Sequence, residues 1–434
     1  MNRLPLDLLG RYIRIDTTNP PGNEYLAAAF FSEIFNRESV EFKTYQSEPG
    51  RVSIRAVLKG SGNEKPIILL HHMDVIGANK EEWTFDPFGG EIIDGYICGR
   101  GALDTKSLGI IQLMTLLNIK KRKVKLNRDI VFLATADEES GANRGVEFLL
   151  REYPADFEAS LVLNEGSYIL SELIPDRLVA LISPGEKGPC WLKLKRKGIP
   201  GHGSTPHNQN PLEHLVKDVN RLLSCDQPYR VTPIVAEYFK KMATVLEPLK
   251  PYLTENTEEA LLKILKKSGL ISRPQVKAML SNTISLNSIK AGDKINVIPS
   301  YAEALLDTRI LPGQDMDEWL NYLIETLADD ELQIELITSG NGNASTIQTV
   351  SYQTIETIMQ EYYPDAITAP YLMLGTTDSR FFRVRDVISY GFCPTVIPFE
   401  LMGTVHGIDE KIGVDSFLKG IEIYTAIVER LCTG

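Results

Sequence analysis

Six histidines occur in the chain, and two of them, His71 and His72, stand side by side in "IILLHHMD" at residues 67 to 74. Side chains alternate along a strand, so His72 shares a face with Asp74 while His71 and Met73 point the other way. A carboxylate beside an imidazole fixes its tautomer and raises its basicity, the arrangement found behind metal-bound histidines. Alone, such a pair is more often a structural hydrogen bond. Two further apolar runs end in acids: "IVFLATADEES" gives Asp137, Glu138 and Glu139, and "SLVLNEG" gives Glu165. In open α/β sheets ligands sit beyond the carboxyl ends of the strands, so these acids and His72 are expected to converge there. Carboxylates crowded together repel one another and retain protons unless a cation compensates.

The stretch "CGRGALDTKSLG" at 98 to 109 adds Asp104. It is not a dinucleotide fingerprint, because Asp104 occupies the third glycine position and no apolar strand leads into it. Gly99 and Gly101 instead allow a tight loop that delivers Asp104 near a helix start, where it could bridge two metal ions. "TVHGIDE" places His406 in a loop before the last helix. The donor set is then His72, His406, Asp104, Glu139 and Glu165, with Glu138 left over. Oxygen and nitrogen donors without cysteine suit zinc, with manganese or cobalt as substitutes. Three carboxylates and a hydroxide would neutralise two divalent cations, which favours a two-metal hydrolytic centre in which Glu138 is the general base.

Patterning along the chain predicts the scaffold that holds these residues. At 434 residues the chain exceeds one typical core and predicts two domains. Aliphatic runs at 67–70, 130–135 and 160–163 alternate with helical periodicity (Ile110, Leu113, Met114, Leu117), the α/β pattern. It resumes at 371–374 and 387–390 and ends in an amphipathic helix carrying Phe417, Ile421, Tyr424, Val428 and Leu431. Between them, "WLKLKRKG", two strands over 283 to 308 and a helix from about 315 read as an α+β module with an antiparallel sheet. Within it, 229–280 reads as added helices, one with a capping box from Asn256 to Glu259 and a stop at Gly269. The expected division is a catalytic domain over 1–183 and 343–434 with a domain inserted at 184–342.

Composition narrows the function classes. A net charge of −11 disfavours nucleic-acid and anionic-membrane partners. The first residues carry no continuous apolar core but fit a short helix (Leu6, Leu9, Tyr12, Ile13), and no stretch is long enough to span a bilayer, so a cytoplasmic location is expected. Five scattered cysteines without CxxC spacing indicate neither a disulfide framework nor a thiolate site. No GxSxG is present to suggest a serine hydrolase.

Taken in order, "HHMDV", the Trp83 and "DPF" stretch, "GEIIDGYICGRGALDTK", "DEESG", "NEG", "GTTDSRFF" and the late "HG" resemble the M20 family of metallopeptidases over nearly the whole chain. That family includes glutamate carboxypeptidase, aminoacylase, succinyl-diaminopimelate desuccinylase and carboxypeptidase S relatives. The resemblance implies a zinc-exopeptidase-like α/β catalytic domain holding two zinc ions and an inserted α+β lid or dimerisation domain. It implies that His72 and His406 complete different ions, that Asp104 bridges both, and that Glu139 and Glu165 bind one each. It further implies Glu138 as general base, Asp74 orienting His72, and a cis peptide after Asp104. "GIPGHGSTPH" supplies His202 to stabilise the tetrahedral intermediate; Asn296, Arg309, Thr376 and Arg380 resemble substrate contacts. His207 and His214 read as structural. The 229–280 insertion exceeds the lid of simple bacterial members, which leaves homodimerisation through that lid open.

The expected activity is hydrolysis of a peptide or N-acyl amide bond beside a free carboxylate, in a small peptide or N-acyl amino acid. Glu165, where some family members carry Asp, leans toward carboxypeptidase or deacylase types. The alternatives are a dipeptidase of the same family and a metal-holding binding protein that has lost turnover; retention of Glu138 argues against the latter.

Overall fold

The computed structural model describes residues 3–62 and 64–433. The chain forms two compact units, one of Met1–Pro184, Ser345–Tyr371 and Thr377–Gly434, the other of Gly185–Ala344 with Leu372–Thr376.

The first unit is built on a mixed sheet whose centre is parallel. Strand Glu64–His72 pairs in parallel with Arg128–Thr135 on one side, His72 opposite Thr135, and with Leu161–Asn164 on the other. Leu161–Asn164 in turn pairs in parallel with Ile388–Gly391. Ile67 to Leu70 and Ile130 to Ala134 are buried on both faces, which is why these strands read as continuous aliphatic runs. Parallel alignment carries all their carboxyl ends to one edge. Helices Lys106–Lys121 and Val414–Thr433 meet through Thr115 and Thr425, whose hydroxyls lie 3.1 Å apart.

His71 shows how closely the helix approaches the sheet. Its Nδ1 faces Gln112 Oε1 at 3.1 Å, and a Cβ added to Gly109 would fall 2.4 Å from its Nε2. Burial pulls its pKa down to about 3, so it is a neutral core residue on the face opposite His72.

The second unit is an antiparallel sheet in the order Thr283–Lys290, Tyr301–Ile310, Gly188–Lys197, Leu332–Ser339. The alternation of "WLKLKRK" is realised: Cys190, Leu192 and Leu194 are buried against Leu215, Val219 and Leu222 of helix Pro211–Leu223 and Trp319, Leu323 and Leu327 of Met316–Leu327. The 229–280 stretch supplies helices Pro233–Ala243, Glu258–Lys267 and Pro274–Leu280. The Asn256–Glu259 capping box does not form. Thr257 is the cap, accepting from the Ala260 N–H at 3.2 Å, because Thr257 itself holds the extended conformation that precedes the first helical residue, Glu258.

Candidate metal centre

Each strand end delivers its residue as its apolar run predicts. His72 closes strand Glu64–His72, and Glu165 comes directly after Leu161–Asn164. Glu138 and Glu139 occupy a short 3-10 turn, Glu138–Ser140, just past Arg128–Thr135. Asp104 lies in the loop between strand Tyr96–Cys98 and helix Lys106–Lys121, and the expected cis Asp104–Thr105 peptide is present. His406 sits in the loop before the last helix with a left-handed φ of 59°.

These residues meet around the two oxygens of Asp104. Oδ1 lies 2.9 Å from His72 Nε2, which is itself 3.5 Å from Glu165 Oε1. Oδ2 lies 3.2 Å from His406 Nε2, which is 3.0 Å from Glu139 Oε2. One carboxylate is thus shared between a His72–Glu165 nest and a His406–Glu139 nest. Glu138 joins the first: ligand atoms of His72, Glu138 and Glu165 all fall within 4.8 Å of one another, as do those of His72, Asp104 and Glu139.

The electrostatics describe a site short of positive charge. Burial, then the neighbouring acids, push Glu138 and Glu165 well above the usual carboxylate range, and burial also raises Glu139. Hydrogen bonds to Asp104 and Glu139 push His406 up to about 11. Burial pulls His72 down, but Glu165, Asp104 and Asp74 outweigh it and hold the ring well above its ordinary value. Four carboxylates around two imidazoles, with no lysine or arginine among the donors, match what a pair of divalent cations needs. The residues present therefore fit the dinuclear group that the resemblance implies.

Asp74 differs in detail from the expectation. His72 Nδ1 donates to the Asp74 main-chain carbonyl at 2.9 Å, while the carboxylate stands 3.7 Å away. That carboxylate instead accepts the N–H groups of Glu138 and Glu139, each at 3.1 Å, because the 3-10 turn has no cap of its own.

Two buried acids escaped the sequence reading. Glu410 accepts four donors: Leu103 N–H at 2.6 Å, Asp104 N–H at 2.9 Å, Gly101 N–H at 3.0 Å and Arg100 Nη1 at 2.8 Å. It fixes the loop that presents Asp104. Asp378 accepts from Thr135 Oγ1 at 2.8 Å, its other oxygen is buried without a hydrogen bond, and burial raises its pKa to about 7. Both stand inside motifs of the sequence, Glu410 in "TVHGIDE" with His406 and Asp378 in "GTTDSRFF" between Thr376 and Arg380.

The proposed substrate contacts fall in both units. Arg380 belongs to the first, where Nη2 donates to Gly141 O at 3.0 Å. His202, Asn296, Arg309 and Thr376 belong to the second. His202 lies on a two-stranded ribbon opposite Val297, and Asn296 directly precedes the second strand, Val297–Ile298. The Ser204 N–H donates to His202 Nδ1 at 3.1 Å, so the ring proton is on Nε2 of this exposed residue. Arg309 forks onto Asp307 at 2.7 and 3.0 Å and turns Nη1 to Thr376 Oγ1 at 3.3 Å. His214 donates to Asn208 O at 2.7 Å, a structural role.

The family model for peptidase family M20/M25/M40 matches residues 68–430. The chain belongs to that family. As an M20/M25/M40 member it is a peptidase or amidohydrolase. It is 30% identical over 383 residues to the human N-fatty-acyl-amino acid synthase/hydrolase PM20D1, covering 85% of this chain and 74% of that one. To aminoacylase-1 of Sus scrofa it is 26% identical over 442 residues, covering 98% and 95%. The fold matches the M20 family metallo-carboxypeptidase Sso-CP2 of Sulfolobus solfataricus with a TM-score of 0.79 at 17% identity, covering 99% of both chains. Among the described residues no helix is long and apolar enough to cross a membrane.

Proposed function

We propose that the chain is a two-zinc hydrolase that cleaves the amide bond of N-acyl amino acids or short peptides next to a free carboxylate. The observation that carries this reading is the division of Asp104 between two histidine–glutamate nests with Glu138 left over beside one of them. A purely structural site would close its coordination and would not retain a spare buried acid. The names of the two curated relatives, an N-fatty-acyl-amino acid hydrolase and an aminoacylase, favour an acylated amino acid over a free dipeptide.

His72, Asp104 and Glu165 would hold one ion and His406, Asp104 and Glu139 the other. When bound, the pair would supply Lewis acidity toward the scissile carbonyl and acidify water. The chain's own residues do the proton work. Glu138 takes the proton from the attacking water and returns it to the leaving amine, which suits an acid whose proton affinity is raised by burial. His202, with its proton on Nε2, has the donor that an oxyanion requires. Asn296, Arg309, Thr376 and Arg380 are proposed to contact the substrate.

The test is hydrolysis by zinc-loaded protein of a panel of N-acyl amino acids, their carboxamides and unacylated dipeptides. Turnover of the acyl amino acids that is lost to a chelator and restored by zinc, manganese or cobalt is the expected result. Metal binding without any turnover would make the chain a binding protein, and a strict need for a free amine would make it a dipeptidase.

A further inference from the structure

Behind Glu138 and Glu139 lies a buried guanidinium that the reaction itself does not call for. Arg51 is 5% exposed, at the start of strand Arg51–Leu58. Its Nη1 donates to Asn19 Oδ1 at 3.0 Å and Pro21 O at 2.6 Å; Nη2 meets Asp137 Oδ1 at 2.5 Å and Glu24 Oε1 at 2.9 Å. The chain makes room for it, since a Cβ on Gly22 would fall 2.1 Å from Nη1.

Two routes lead from this guanidinium to the turn that carries the glutamates. In one, Asn19 passes Nδ2 to Asp74 Oδ2 at 2.8 Å, and the Asp74 carboxylate accepts the N–H groups of Glu138 and Glu139. In the other, Asp137 immediately precedes Glu138 and adopts the left-handed conformation, φ 69°, which aspartate takes more readily than most non-glycine residues. Its Oδ1 is fixed by Arg51 and by Asn19 Nδ2 at 3.2 Å, its Oδ2 by the Arg144 N–H at 2.9 Å, and its own N–H by Glu24 Oε1 at 3.2 Å.

We propose that Arg51 is a positioning residue that aims Glu138 and Glu139 by clamping Asn19, Asp137 and, through Asn19, Asp74. A planar fork suits the task, because one group must satisfy four acceptors in fixed directions while balancing a buried carboxylate. Burial, then Asp74, raises Glu24 to about 8 against the opposing pull of Arg51. Arg51 touches neither substrate nor reacting atoms; it acts on the direction of two side chains whose work differs. Its loss is therefore expected to appear in kcat and in metal affinity together, and little in KM.

This inference rests on the function proposed above and its test keeps the two apart. Cobalt(II) is loaded into wild type, Arg51→Met, Arg51→Lys and Asn19→Ala; metal affinity is measured by chelator competition, the visible spectrum is recorded, and kcat and KM are measured on an N-acyl amino acid. Arg51→Met is expected to lose at least 100-fold in kcat with KM within threefold, to bind cobalt at least tenfold more weakly, and to show an altered cobalt spectrum. Arg51→Lys should regain at least tenfold of that kcat. Asn19→Ala, which cuts the route to Asp74 and leaves the Arg51 pairs with Asp137 and Glu24, should lose about tenfold in kcat and bring a smaller change in the spectrum. An Arg51→Met enzyme with wild-type kcat and cobalt affinity overturns the inference. So does an unchanged Asn19→Ala enzyme, which decides the matter if Arg51→Met does not fold. A wild type that binds cobalt yet hydrolyses nothing on the panel fails the functional reading instead, while the cobalt affinities and spectra still decide the role of Arg51.

Discussion

The carboxylate of Glu410 accepts the main-chain N–H of Asp104 at 2.9 Å, across 306 positions of sequence. The same carboxylate takes the N–H groups of Leu103 and Gly101 and the Arg100 guanidinium, so the loop presenting Asp104 hangs on one buried acid. In Glu410→Gln the amide nitrogen must face two of these donors, a mismatch worth on the order of 2–3 kcal/mol. The expected outcome is loss of at least half of the bound zinc and a fall in kcat/KM of about 100-fold, read by metal analysis and initial rates. Unchanged zinc content and activity would mean that the loop holds Asp104 without Glu410.

Neighbouring glutamates should fail in different ways. Glu138→Gln keeps the shape and removes the proposed base, so turnover of the zinc-loaded protein should drop by about 1,000-fold or more with metal content near that of the wild type. Glu139 stands 3.0 Å from His406, and Glu139→Gln should lose zinc as well as rate. Activity within tenfold of wild type in both variants would remove the assigned roles.

The strand ends were legible because a parallel sheet writes its buried strands as aliphatic runs, and the residues just past each run must lie at one edge. That logic places His72, Glu139 and Glu165 without any tertiary information. The reach of Asp104 and His406 came from the motifs that carry the family resemblance. Glu410, Asp378 and Arg51 were not legible, since a single polar residue in a loop or at a strand start has no periodicity, and its partners come from distant parts of the chain. The Asp74 carboxylate was assigned to the nearer histidine, whereas the uncapped turn at Glu138 competes for it. The Thr257 cap was missed by one residue for a similar reason: local pattern offers two registers, and only the backbone conformation chooses.

Arg309 has less to offer a substrate carboxylate than a free guanidinium would. Asp307 takes one N–H of Nε and one of Nη2 and offsets the guanidinium charge, and Thr376 takes one N–H of Nη1, so a substrate carboxylate would meet a group that is already paired. Converting the substrate carboxylate to its amide should therefore lower kcat/KM by about 10- to 30-fold, equivalent to roughly 1.4–2 kcal/mol, less than an unpaired guanidinium would give. Arg309→Ala should cost a similar factor on the acid and little on the amide. Equal rates of the wild type on acid and amide would leave Arg309 as the partner of Asp307 alone.

Lys187 gives the second unit a pH dependence of predictable sign. Its side chain is buried, with Nζ bonded to Ala278 O at 3.1 Å, Ser281 O at 2.9 Å and Thr283 Oγ1 at 3.0 Å, and no carboxylate among these partners. Burial first, then Arg309, lowers its pKa from 10.5 to about 7. As a neutral amine it can donate to the two carbonyls and accept from the Thr283 hydroxyl, so the uncharged form is fully satisfied. Between pH 7 and 10.5 the unfolded chain holds a proton that the folded chain does not, and stability attributable to this group rises with pH through that window and is level above it. Below pH 7 both states are protonated and the burial cost is present in full. Urea denaturation at about pH 7 and about pH 9.5 should show wild type gaining on Lys187→Met by on the order of 3 kcal/mol across the interval. The comparison is of slopes, because Lys187→Met also strands the Ala278 and Ser281 carbonyls and is less stable for that reason at every pH. Parallel pH profiles for the two proteins would show that Lys187 stays charged in its buried site.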